Sequence, residues 1–115
     1  MFCDLASPPA VNYRENMLLA FSVAPTTAQT DDGSVSRAVA DAIAIVRESG
    51  LPHETTSMFT TIEGEWDEVM AVVKRATDAV AAVSPRVSLV MKADIRPGYT
   101  GQLTAKVKRV DEHLS

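Results

Sequence analysis

The sequence predicts an α+β sandwich: one four-stranded antiparallel sheet, two helices on one of its faces and a short C-terminal helix. Two long segments carry apolar residues at helical spacing, and four shorter ones are apolar or β-branched. Glycine or proline stands at most of the breaks between them. A length of 115 residues allows one domain of this size.

Met17 to Ala24 is a short apolar run closed by Pro25, which suits a buried strand. Leu19, Phe21 and Val23 share one face of it, and Leu18, Ala20, Ser22 and Ala24 the other. Thr26 to Gly33 is polar, contains Asp-Asp-Gly and reads as a loop. Ser34 to Ser49 is the first helix, with Ser34 or Gly33 at its N-cap. Val35, Val39, Ile43 and Val46 form its stripe, with Ala38 and Ala42 beside them. Gly50 suits the left-handed position after the helix, and Pro52 confirms the stop. His53 to Ile62 favours extended structure, divided into two strands near Thr56 to Phe59.

Glu65 to Val83 is the second helix. Glu65, Asp67 and Glu68 place negative charge at the positive end of its dipole. Val69, Val72, Val73, Ala76, Val80 and Val83 make its apolar stripe. Arg86 to Ile95 alternates as a last strand, with Leu89 and Met91 facing one way and Val90, Lys92 and Asp94 the other. Pro97-Gly98 breaks the chain, and Gln102 to Leu114 forms a terminal helix. The order strand–helix–strand–strand–helix–strand is the split βαβ, or ferredoxin-like, arrangement. It leaves one sheet face, with Leu18, Ala20 and Val90, without internal cover. Such a face predicts a homo-oligomer.

Residues 1–16 lack periodicity and read as a flexible arm before a domain spanning 17–115. Met17 could be the native start. No basic segment leads into an apolar run at the front, so no signal peptide is expected, and no 18-residue apolar stretch predicts a membrane span. The expected compartment is the cytoplasm. The net charge of −4 argues against a general nucleic-acid binder, which needs clustered Lys and Arg. One cysteine, Cys3, excludes an internal disulfide framework, and two separated histidines make a His-rich metal site unexpected. No phosphate loop, GxSxG or HExxH motif is present. Cys3 is read as incidental, His53 as an edge histidine and Trp66 as a packing residue.

One region departs from this plain pattern. Thr55, Thr56, Ser57, Thr60, Thr61 and Glu63 place five hydroxyls and a carboxylate within nine positions. Threonine is a good strand former and serine a good turn former, which would explain the cluster without a ligand. A polar-lined pocket for a small molecule explains it equally well.

Phe21-Ser22-Val23-Ala24-Pro25, Ser34-Val35-Ser36, Glu48-Ser49-Gly50-Leu51 and His53-Glu54 resemble the thiamine-binding protein family, also known as uncharacterised family 0045. The resemblance is sharpest in Met58-Phe59-Thr60-Thr61-Ile62-Glu63-Gly64 followed by Asp67-Glu68-Val69. It continues in Lys92-Ala93-Asp94-Ile95-Arg96 and Lys106-Val107, and so runs from about Met17 to Leu114. It implies a ferredoxin-like fold, a homo-oligomer (a dimer, or a tetramer built from dimers) and binding of thiamine or its hydroxymethylpyrimidine part, with no established catalysis and no resident cofactor. Two residues depart from the family's pattern: Ser57 stands where many members carry Pro, and Phe59 where many carry Gly.

A flat aminopyrimidine needs an apolar wall and a few directed polar groups. Met58 and Phe59 are the candidate wall, and Ser22, Thr56 and Thr60 the candidate partners of the ring edge. Glu63, then Asp94, is the candidate carboxylate for an exocyclic amine or a thiazolium. Ser36, near a helix N-terminus, suits an anion or a hydroxyl. Two alternatives stand beside this reading. One is a small oligomeric enzyme of isomerase or cofactor-free oxygenase type, with His53 as its base, and it rests on fold analogy. The other is a regulatory or assembly domain without a ligand.

Overall fold

A computed structural model describes residues 16–26, 32–96 and 100–114. The predicted arm, with Cys3, and most of the predicted loop after Thr26 lie outside the described residues. The elements are β1 (Met17–Pro25), α1 (Asp32–Glu48), β2 (His53–Thr55), β3 (Thr60–Gly64), α2 (Trp66–Ala81), β4 (Val87–Ile95) and α3 (Gln102–Leu114). The four strands form one sheet in the order β2-β3-β1-β4, every neighbour antiparallel. This is the predicted βαββαβ sandwich with its additional C-terminal helix.

Register decides what each face carries. Leu19 pairs with Ile62 and Ala93, and Phe21 with Thr60 and Met91. Met17, Leu19, Phe21 and Ile62 are buried under the helices. Between them, Leu18 pairs with Glu63 and Asp94, and Ala20 with Thr61 and Lys92. These residues point to the opposite face, because side chains alternate along a strand. Val90, on that face, is 52% exposed. The first turn of α3 lies over one corner of it, since Glu63 bonds the amides of Gln102 and Leu103. Among the described residues, the predicted absence of internal cover therefore holds for the part of the face away from α3.

The core is small-residue-rich. Ala38, Ala42 and Val46 of α1 meet the valine stripe of α2 and Ala76. The structure places Val39 and Ile43 beside this contact, half-buried, instead of at its centre. Alanines at the contact let the helix backbones approach closely, and the β-branched neighbours then flank the seam. Helix α1 begins at Asp32, two residues before the predicted start, so Gly33 and Ser34 lie within its first turn and not at its N-cap. Gly50 follows α1 at φ +79°, the left-handed conformation expected there.

Glu65 caps α2, its carboxylate accepting from the Glu68 amide at 3.3 Å. Trp66 is half-buried against the core, in the packing role expected of it. No helix among the described residues is long and apolar enough to cross a membrane.

Candidate functional site

The predicted break in the His53 to Ile62 segment is a tight turn. The Thr56 hydroxyl donates to the Phe59 carbonyl at 3.1 Å and accepts from the Met58 and Phe59 amides at 3.4 and 3.3 Å. The Thr56 amide also donates to the Phe59 carbonyl at 2.8 Å. One side chain thus closes the turn, as threonine does where backbone groups lack strand partners. The turn leaves Met58 73% exposed at its tip and folds Phe59 back to half-burial.

Below the turn is a cavity of about 210 Å³. Its floor is Phe21, Ser22 and Val23 of β1, and one wall is Val39, Ala42 and Ile43 of α1. The other wall is the hairpin from Thr55 to Thr60. Five of the predicted residues therefore meet in one place: Ser22, Thr56, Met58, Phe59 and Thr60. Thr60 is only 4% exposed, and its hydroxyl lies 3.2 Å from that of Thr55. None of the described lining residues is charged. The cavity offers hydroxyl groups, a thioether and an aromatic ring. Drug-sized ligands occupy pockets of about 300–1,000 Å³, so this space matches a single ring with small substituents.

Ser36, Glu63 and Asp94 are not among the lining residues. Ser36 is exposed in the second turn of α1. Asp94 lies on the open sheet face, where the Lys106 ammonium donates to its carboxylate. That hydrogen bond, opposed by a small burial effect and helped by the charges of Lys106, Arg96 and Lys92, holds the Asp94 carboxyl below its ordinary pKa.

Glu63 has a different environment. It is 4% exposed on the open face, opposite Leu18. One of its oxygens, Oε2, accepts from Asn16 Nδ2 and from the Gln102 amide, each at 3.0 Å. Its Oε1 accepts from the Leu103 amide at 3.2 Å. Burial alone would raise this carboxyl's pKa. The hydrogen bonds from Asn16, Gln102, Leu103 and Gly101 outweigh it, so the group is held below its ordinary value. The carboxylate caps α3 from another element.

Sequence reasoning did not single out Asn16 or Gln102. A signal was present: α3 opens after Gly101 with no acidic residue in its first turn. A helix start without a local side-chain acceptor must find one elsewhere or face water. His53 turns Nδ1 to the Leu51 carbonyl at 2.9 Å and lines a separate cleft against α3, away from the hydroxyl-lined cavity.

Comparison with known proteins gives one consistent result. Residues 19–111 match the model of the thiamine-binding protein family. A UPF0045 protein of Mycobacterium bovis is 52% identical over 100 residues, covering 86% of this chain and 95% of the relative. A UPF0045 protein of Synechocystis is 38% identical over 82 residues, covering 70% of this chain and 68% of the relative. Among solved structures, a domain of unknown function from Bacillus cereus superposes with a TM-score of 0.72 at 32% identity, covering 87% of this chain and 94% of that one.

Proposed function

The chain belongs to the thiamine-binding protein family, and we propose that it binds hydroxymethylpyrimidine, free or as part of thiamine, in the cavity between β1, α1 and the β2–β3 hairpin. Family membership fits a small-molecule-binding role, and one observation supports this ligand and place. Ser22, Thr56, Met58, Phe59 and Thr60, spread over 39 positions of sequence, line one space without a charged neighbour among the described residues. An uncharged aminopyrimidine suits such a lining better than a diphosphate would, because nothing there compensates a buried phosphate charge. Phe59 and Met58 supply apolar area for a ring face. The hydroxyls of Ser57 and Thr60 supply edge contacts, while that of Thr56 mainly holds the turn; Ser22 borders the cavity with its backbone, since its side chain shares the open face with Val90. The thiazolium of thiamine would extend toward the cavity mouth at exposed Met58.

The reading includes self-association. The open sheet face carries Leu18, Ala20 and Val90, and β4 has a partner on one edge only among the described strands. A dimer, or a tetramer of dimers, would cover both.

A thermal-shift titration with hydroxymethylpyrimidine, thiamine and thiamine diphosphate tests the ligand. A ligand at about 100 times its dissociation constant adds roughly 2.7 kcal/mol per site, several degrees for a domain of this size. Hydroxymethylpyrimidine and thiamine should both stabilise the protein, and Thr60→Val should reduce the shift for both. Stabilisation by thiamine diphosphate alone, or no shift at millimolar concentrations of any of the three, would refute the assignment.

A further inference from the structure

We propose that Glu63 is a latch: its carboxylate holds α3 against the sheet, and α3 is an arm that leaves the domain as a unit when the latch opens. This assignment does not depend on the ligand.

The burial of the helix is concentrated at one end. Gln102 is its buried residue, whereas Val107 and Val110 are each 57% exposed and Leu114 79%. An isolated helix of this length is marginal in water, so its order must come from docking. The chain enters it through Gly101 at φ +67°, a conformation that favours glycine.

At the docked end, Glu63 takes two of the helix's first amides and is itself fixed by Asn16. The negative charge also faces the positive end of the helix dipole. Two other polar contacts of the helix are weaker or internal to it. The Lys106–Asp94 pair is exposed on both sides, at 47% and 42%, and such pairs add little. Arg109 Nη2 donates to Gln102 Oε1 within the same helix and docks nothing. His53, on neighbouring β2, is turned to the Leu51 carbonyl. A buried polar anchor of α3 is thus a residue of β3, 39 positions before Gln102.

Helices held by so few buried contacts open below the free energy of global unfolding. Opening here would uncover Glu63 and the Leu51–Pro52 corner, which face α3 across a cleft of about 330 Å³. It would also free the stripe Leu103, Val107, Val110 and Leu114 as one mobile element.

Amide hydrogen exchange by NMR on the full chain tests this. In Glu63→Ala, exchange at Gln102, Leu103 and the following α3 amides should rise roughly tenfold or more, while the α2 amides from Val69 to Val80 keep their protection. Glu63→Gln, which retains one acceptor oxygen, should fall between the two. Unchanged α3 protection in Glu63→Ala overturns the latch. So does loss of α3 protection only together with α2. If Glu63→Ala does not fold, acid titration of the wild-type chain decides. The Gln102 and Leu103 amide resonances should then move with the Glu63 carboxyl, and α3 should exchange before α2. Resonances that follow Asp94 instead, or no movement, overturn the proposal.

Discussion

Glu63 and Asp94 sit two strands apart on the same row of the open face, paired through Leu18, yet their environments differ. Asp94 meets one exposed lysine, and water screens much of that interaction. Glu63 is buried, with both oxygens occupied by donors. A buried carboxylate without such donors would carry a desolvation cost large enough to keep it protonated. The sign of the pH dependence follows. The folded-state pKa of Glu63 is lowered, so its contribution is complete above the unfolded carboxylate range and is lost as pH falls through the folded value. Urea unfolding at neutral and acid pH should show stability falling with acid. Glu63→Gln should flatten that fall more than Asp94→Asn does. Equal flattening by both would show that burial and amide donors give Glu63 no special weight.

At the scale of the element, β3 divides its five residues between two jobs. Thr60 and Ile62 face the helices, one at the cavity and one in the core; Thr61 and Glu63 face the open side. A one-residue slip would bury Thr61 and Glu63 among the helices, so the register is strongly specified. Gly64 ends the strand against α2. A Cβ there would meet Val69 Cγ2 at 3.1 Å and Leu51 Cδ2 at 3.4 Å. Both are side-chain tips, so the neighbours can give way at the cost of an imperfect fit. Gly64→Ala should destabilise by about 1–3 kcal/mol, the usual cost of overpacking. A thermal midpoint equal to wild type would mean that Leu51 and Val69 relax freely.

The same strand shows what the sequence made legible. Its identity, the turn before it and the alternation were all local signals. So was the α2 stripe, where Val69, Val72, Val73, Ala76 and Val80 are all buried, although Val83, its predicted last member, lies beyond the helix and is 46% exposed. The density of hydroxyls from Thr55 to Thr60 marked one wall of the cavity. The opposite wall was not legible, because Val39, Ala42 and Ile43 reach it through the seating of α1 on the sheet. Nor was the partner of Glu63 legible, since a contact across 39 residues leaves no mark in local spacing.

For the whole molecule, the proposed self-association would use the open face. One row across the sheet reads Glu54, Thr61, Ala20, Lys92. It has small residues at the centre and opposite charges at its two ends. The next row contains Ser22 and Val90. Small central side chains allow a second sheet to approach closely, and Val90 supplies apolar area to bury. A second copy turned about a twofold axis along the strands would set each copy's Glu54 against the other's Lys92. Such rim charges fix register and partner choice more than they add affinity. Val90→Lys should therefore shift the protein to a smaller species in sedimentation velocity, with its circular dichroism unchanged. Glu54→Lys alone should weaken assembly by like-charge contact with Lys92. Adding Lys92→Glu should restore it, because the reversed pair is complementary again. Recovery in the double variant would place the interface on this face and in this register. If the single charge reversal leaves the species unchanged while Val90→Lys dissociates it, the face is used in another orientation. If neither variant alters the species, assembly runs along the β4 edge instead.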